Sequence, residues 1–350
     1  FKDENNDIVI ISSIDWNTQR QVIHELSEQL SKDKKNRVLF IENTGVRSLS
    51  FKKDFNRILN RLKFWFGSTK GFTKKNNNIT IYTPLFFPFF TYSKVSLWIN
   101  SIIITNLVMY WLKFNNYKYP IVISFLSTPL AQSLIKNINP RSTIFYCIDN
   151  MSESSASANK LKNWENEFFK NSDLVMCTSK EILHNAEKFN KNSFYAPSGV
   201  DFEKFEKTFL DRSTKKPHDL PKKGKIIGFI GGLRKILNKD LIYRLCDEID
   251  DATLVLIGPT FDDFKLEKRK NLLILGSKNH NEIPLYVKYF DVGIIPYLKN
   301  KFTDSIYPTK INEYLAMGKP VISSNIKEVE NFNLDHKNII KISKNNDDFI

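Results

Sequence analysis

The chain has 350 residues, 41% of them apolar and 13% aromatic, which is enough to bury a large core and build two domains of ordinary size and excludes a disordered tail or scaffold. Its formal net charge of +14 asks for an anionic partner: nucleic acid, acidic lipid or a phosphorylated substrate. Cys147, Cys177 and Cys246 show no C-x-x-C spacing and the five histidines no H-x-x-x-H pair, which argues against a zinc site, a disulfide framework or another metal centre and points to a reducing cytoplasm. The sequence starts at Phe1 and stops in "NNDDFI", so it reads as a fragment in which targeting signals are not to be judged.

The first half alternates strands and helices. An apolar run at 7–12, helical spacing at 18–33 and a second run at 37–42 form a βαβ opening, which implies a parallel sheet. Residues 52–75 hold eight Lys or Arg against one Asp, interleaved with Phe55, Ile58, Leu59, Leu62, Phe64, Trp65 and Phe66. That composition suits a helix lying in a membrane interface and equally a helix packed on its own domain with a solvated basic face. Residues 95–112 are free of charge, at the lower edge of spanning length, and read as a buried domain helix ahead of a membrane span or a one-sided contact. Strands follow at 79–84, 121–125, 143–149 and 174–179.

Residues 206–225 are polar, contain two prolines and read as a linker. The alternation then restarts with strands at 226–231, 252–258, 271–276, 292–297 and 320–324. The expected architecture is α/β: two doubly wound, Rossmann-like domains, 1–205 and 226–350, facing each other across a cleft, with ligands bound beyond the carboxyl ends of the strands.

One stretch of the second domain carries chemistry. "SIYPTKINEYLAMGKPVISS" (305–324) spells a helix from about Tyr307 to Met317, with Pro308 in its first turn and Gly318 as its stop, followed at once by a strand. Its N-terminus favours a phosphate, and Thr309, Lys310 and Glu313 share neighbouring positions on it. A carboxylate a turn behind a phosphate site can accept two hydrogen bonds from vicinal ribose hydroxyls, as a sugar nucleotide requires. A solvated Lys–Glu pair on a surface helix is the equal alternative.

"EYLAMGKPVISS" resembles the E-A-x-A-x-G-x-P-V-V segment of nucleotide-sugar glycosyltransferases with the GT-B fold, family 4 above all. "GSKNHNEIPLYVKYFDVGIIPYLKN" is similar to the segment preceding it, and "NWENEFFKNSDLVMCTSKEIL" with "YAPSGVDFEKF" to the end of the first domain. "SSIDWNTQRQVIHELSEQL" and "FIENTGVRS" look closest to the teichuronic-acid-type branch of cell-envelope polysaccharide synthesis. The resemblance implies that Glu313 binds ribose, that the diphosphate lies near Ile306, Tyr307 and Thr309, and that the base lies near Gly276, Ser277 and His280; Ser305 and Gly231 are further candidate donor contacts, and Asp15, Arg234 and Lys310 are the catalytic candidates. It further implies a retaining transfer in which the leaving phosphate deprotonates the incoming hydroxyl, with its charge met by cations and backbone dipoles and no catalytic metal.

The chain departs from the family at two positions. Ser305, beside Asp304, stands where a first, sugar-facing glutamate is usual, and Gly232 stands where G-R-L-x-x-x-K-G has its arginine; Arg234 is the chosen substitute, with Lys235 and Lys239 behind it. In the first domain Asp15 and Trp16 end a strand and should face the ligand, with Arg20 close by, and Asp149 and Glu153 follow another strand; each suits capping or loop-holding as well as acceptor contact. "FDDF" at 261–264 is too loose a D-x-D to count as a metal site. The reading is a hexosyltransferase-type enzyme, cytoplasmic and peripheral on the inner face of the plasma membrane, moving a sugar from a nucleoside diphosphate sugar to a glycan or lipid-linked glycan. Its rivals are a nucleotide-sugar epimerase, a degenerate GT-B scaffold and a nucleic-acid binder, the last disfavoured because no zinc finger, helix-turn-helix or RNP-like pattern accompanies the charge.

Overall fold

A computed structural model describes residues 6–18, 20–43, 65, 68, 70–85, 94–149, 158–261 and 264–350. The chain divides into two compact units: Phe1–Thr178 with Ile182–Ala196, and Ser179–Glu181 with Pro197–Ile350. The changeover at Ala196 and Pro197 comes before the expected boundary at residue 205, and the start of the expected linker is helical, within Phe202–Leu210. Phe205 causes this: it is 1% exposed in the second unit's core, so the polar stretch begins with a helix anchored by one aromatic side chain.

The first unit is built on an eight-stranded sheet ordered β3-β4-β2-β1-β5-β6-β7-β8. These strands are β1 (Asn6–Ile11), β2 (Asn36–Ile41), β3 (Phe72–Lys74), β4 (Ile79–Tyr82), β5 (Ile121–Ser124), β6 (Ser142–Cys147), β7 (Leu174–Cys177) and β8 (Ser193–Tyr195). All neighbours run parallel except the antiparallel edge pair β3–β4. A parallel sheet covered on both faces makes its strands apolar throughout, and Val9, Ile10, Ile11, Leu39, Phe40 and Ile41 are all fully buried. Each such side chain stabilises the fold by about 1.5–3 kcal/mol relative to exposure.

The helix Lys94–Phe114 contains the charge-free stretch. It packs on the helix Pro129–Ile138 and joins it through Ser101 Oγ, which donates to Ser133 Oγ at 2.6 Å. Among the described residues no helix is long and apolar enough to cross a membrane. Most of the basic segment 52–75 lies outside the described residues.

The second unit has a six-stranded, wholly parallel sheet ordered β11-β10-β9-β12-β13-β14. Its strands are β9 (Lys225–Ile230), β10 (Ala252–Ile257), β11 (Leu272–Gly276), β12 (Val292–Ile295), β13 (Val321–Ser324) and β14 (Lys341–Ser343). Both sheets are therefore doubly wound, as expected. In each, the order reverses beside a central strand, between β1 and β5 in the first and between β9 and β12 in the second.

Candidate functional site

Where strand order reverses, the loops leaving two neighbouring strands diverge and open a crevice beyond the carboxyl ends. In the second unit those loops begin at Gly231, after β9, and at Pro296–Tyr297, after β12. The helix Lys310–Ala316 brings its first residue to both. Lys310 Nζ donates to Tyr297 Oη at 2.9 Å and stands 5.3 Å from the centre of the Phe229 ring and 5.6 Å from that of Tyr297, within reach of both ring faces. The lysine stem runs where a side chain on Gly231 would be: a Cβ there would lie 2.4 Å from Lys310 Cε and 2.7 Å from Nζ. Gly231 has φ +144°, and its carbonyl faces Gly258 so closely that a Cβ on Gly258 would fall 2.0 Å from the oxygen. Two glycines thus let the ends of β9 and β10 meet backbone to backbone and leave the ammonium room at the reversal point.

Glu313 follows one turn later on the same helix. It keeps partial contact with solvent, yet protein crowds it, and burial pushes its carboxyl up to about 6 against the opposing pull of Lys310 and Lys204. Among the described residues no hydrogen bond reaches this carboxyl. Ionised, it offers acceptor sites to a ligand rather than to its own fold. Lys204, on the helix Phe202–Leu210, donates to the His280 carbonyl at 3.3 Å and to Asn281 Oδ1 at 3.0 Å. It links the loop after β11 with the neighbourhood of Glu313.

The helix is held from below and beside. Tyr314, fully buried, accepts the Ile230 N–H at 3.0 Å on its hydroxyl. Asn312 donates to the Ser198 carbonyl at 2.6 Å and accepts from the Tyr307 hydroxyl at 2.8 Å. The helix is shorter than its sequence suggests, beginning at Lys310 rather than near Tyr307. Pro308 has no N–H to give, and its carbonyl instead accepts from Ile311 N at 3.0 Å in a tight turn before the helix.

The structure brings Gly231, Lys310 and Glu313 together and connects His280 to them through Lys204. Thr309 is exposed at the helix start and its side chain caps nothing. Neither Ser305 nor Tyr307 has a free hydroxyl: Ser305, 1% exposed, donates its own to the Phe302 carbonyl at 2.8 Å, and Tyr307 is buried and donates to Asn312. Ile306 is half-buried against the core. Gly276 has φ +67° and accepts from Gly258 N at 2.8 Å; Ser277 beside it is exposed. Arg234 is exposed, its guanidinium 4.2 Å from the Phe261 ring centre, whereas Lys239 is engaged by the Lys265 carbonyl at 2.8 Å.

In the first unit the corrections are larger. Trp16 is turned into the core: it is 8% exposed, its ring edge-on to Phe40 at 4.8 Å and to His24 at 5.3 Å, and its main-chain N–H donates to the buried Glu42 at 2.7 Å. Arg20 is neutralised by the helix that follows it, Val22–Lys32, with Glu25 at 2.8 Å and Glu28 at 2.5 Å, and these carboxylates hold the guanidinium well above its ordinary pKa, Glu28 most strongly. Asp15 is half-buried in the loop after β1, and its main-chain carbonyl accepts from Thr18. Asp149 is exposed beyond β6. Glu153, Asp262 and Asp263 lie outside the described residues.

Sequence reasoning missed Tyr297, Lys204 and Asn312. Tyr297 ends the "VGIIPY" run and looked like strand, and Lys204 sat next to the supposed linker. The signal for both was position: each lies within three residues of an element end that faces the reversal point or the loop after β11.

Two units with Rossmann-like sheets are also what the solved structures similar to this chain contain, and their fold is GT-B. Residues 224–350, within the second unit, match the model of the family described as "Glycosyl transferases group 1". Over 177 residues, 47% of this chain, the sequence is 28% identical to "Putative teichuronic acid biosynthesis glycosyltransferase TuaH" of Bacillus subtilis (strain 168); the match spans 44% of that relative. Among solved structures, sucrose-phosphate synthase from Thermosynechococcus elongatus superposes with a TM-score of 0.68 at 13% identity, covering 98% of this chain and 87% of that one. The trehalose-6-phosphate synthase of Burkholderia multivorans gives 0.64 at 10% identity over 97% and 87%. Anabaena Alr3699/HepE, in complex with UDP and glucose, gives 0.61 at 12% identity over 94% and 83%. At these identities the structural likeness speaks for the fold alone.

Proposed function

We propose that the chain is a glycosyltransferase that moves a sugar, with retention, from a nucleoside diphosphate sugar to a glycan or lipid-linked glycan in cell-envelope polysaccharide synthesis. The observation that carries this reading is Glu313: a carboxyl without a hydrogen bond among the described residues, a turn from Lys310 at the reversal point of a parallel sheet, inside the segment that matches the group 1 glycosyltransferase model. In this reading Glu313 accepts from the ribose hydroxyls, and Lys310 with the glycine-lined end of β9 faces the diphosphate. Gly276, Ser277 and His280 border the base, and Lys204 holds that loop.

Transfer breaks the bond from the sugar carbon to the phosphate oxygen and forms one to the acceptor oxygen, whose proton passes to the departing phosphate. Charge then grows on the diphosphate, and Lys310, with Arg234 as a second cation, would stabilise it without a catalytic metal. The TuaH relative supports the cell-envelope setting. The excess of basic charge supports an acceptor at an anionic membrane, with the protein peripheral on the cytoplasmic face.

Calorimetric titration of UDP, GDP, ADP and dTDP into the full chain and into Glu313→Ala tests the donor half. One nucleotide should bind, and the variant should lose most of that affinity. A catalytically degenerate scaffold is the second reading, favoured by Ser305 being turned into the fold where a sugar-facing carboxylate is usual. Failure of all four nucleotides to bind would put it in place of the enzyme.

A further inference from the structure

The helix Lys94–Phe114 has one face accounted for and one not. Asn100, Ile104, Thr105, Val108 and Leu112 are buried on the first unit. On the opposite side Val95, Trp98, Ile102, Tyr110 and Phe114 recur at intervals of three, four or eight residues and are between 41% and 74% exposed. Three of these five are aromatic. Tyr119, just past the helix, is 71% exposed as well. An uncovered apolar stripe of about 30 Å, at 1.5 Å per residue, is unusual for a protein surface and marks an interaction site.

Charge decides what covers it. From residue 94 to residue 148 the chain has five Lys or Arg and no Asp or Glu. Lys113 and Lys118 are exposed beside the stripe, and Lys70 Nζ lies 5.6 Å from the centre of the Tyr110 ring. A second copy meeting this face about a twofold axis would set lysines against lysines, and the segment 94–148 brings no acid to pair them. A bilayer rich in acidic lipid offers what the face lacks: negative headgroups for the lysines, an interfacial layer for Trp98 and Tyr110, and acyl chains for Val95, Ile102 and Phe114. Among the described residues no helix is long and apolar enough to cross a membrane, and this one is packed on the first unit along its inner face, so it would lie in the plane of the membrane.

We propose that the outer face of the helix Lys94–Phe114 is the surface by which this protein docks onto an anionic lipid bilayer. This rests on the membrane part of the proposed function and names the element responsible, on the first unit rather than at the donor site.

The test is co-sedimentation of the full chain at low salt with vesicles of phosphatidylcholine alone and with 30% phosphatidylglycerol. The parent should bind the anionic vesicles. Ile102→Glu with Tyr110→Glu should weaken that binding at least tenfold while leaving the melting temperature and nucleotide affinity unchanged, because both side chains point away from the core. Brominated lipid should quench the parent's tryptophan emission more than that of Trp98→Phe. Binding by the parent that survives in the double variant would overturn the surface but keep the membrane reading. Absence of parental binding would overturn both, and the nucleotide titration would still decide the donor site on its own. Light scattering that finds a dimer which the double variant dissociates would also overturn the proposal, assigning the stripe to a second copy.

Discussion

The ammonium of Lys310 and the hydroxyl of Tyr297 meet at 2.9 Å across the point where the second sheet reverses its strand order. Tyr297 is 4% exposed and fixed by the fold, whereas a lysine side chain is long and free unless something holds it. The tyrosine hydroxyl and two ring faces therefore set where the positive charge sits. Tyr297→Phe keeps both rings and removes the hydrogen bond. A bond to a charged group contributes about 1.5–3 kcal/mol, which corresponds to a loss of roughly ten- to hundredfold in nucleotide diphosphate affinity if the whole term acts on binding. Calorimetry with the nucleotide that the parent binds measures it. Lys310→Met should lose at least as much, and in that background Tyr297→Phe should add nothing.

Gly231 makes a second, steric prediction. Alanine there places its Cβ 2.4 Å from Lys310 Cε in a backbone conformation that side chains rarely adopt. Nothing with a side chain fits unless the lysine moves. Gly231→Ala should lower the melting temperature by several degrees and weaken nucleotide binding together. Adding Lys310→Ala should restore part of the stability, because the clash is relieved, and none of the binding. Thermal unfolding of the single and double variants, beside the same titration, separates the two effects.

The fold was legible because buried parallel strands advertise themselves. Runs such as "DIVIIS", "RVLFIE" and "ATLVLIG" are apolar on both faces, and the gaps between them carry helical spacing. The edge strands Phe72–Lys74, Ser193–Tyr195 and Lys341–Ser343 escaped because three residues half open to solvent hold no periodicity to read. At the candidate site the sequence showed which residues share a helix, so Lys310 and Glu313 were found together. Rotation about a loop is not written in spacing. Trp16 and Ser305 stand next to residues that face outward, yet one fills the first unit's core and the other bonds its own turn. Nor does sequence reveal a countercharge: Arg20 looked free because Glu25 and Glu28, five and eight residues on, come beside it only once the helix forms.

Glu313 ties stability to function through pH. Burial raises its carboxyl from an ordinary value of 4.5 to about 6 in the folded protein. The folded state then holds this proton more tightly than the unfolded chain, so from this group stability is highest below about 4.5, falls as pH rises to about 6, and stays level above that. Glutamine has no proton to lose. Glu313→Gln should therefore unfold at a higher temperature than the parent at pH 7.5, with the difference shrinking towards pH 4.5. Nucleotide affinity should move the other way: in the parent it rises with pH through about 6 as the acceptor carboxylate forms, and in the variant it is weak and flat. Melting curves and titrations of the two proteins from pH 4.5 to 7.5 give both profiles. A variant no more stable than the parent at pH 7.5 would mean that the carboxylate is well solvated where it stands, and a parental affinity flat across pH 6 would take Glu313 out of the nucleotide site.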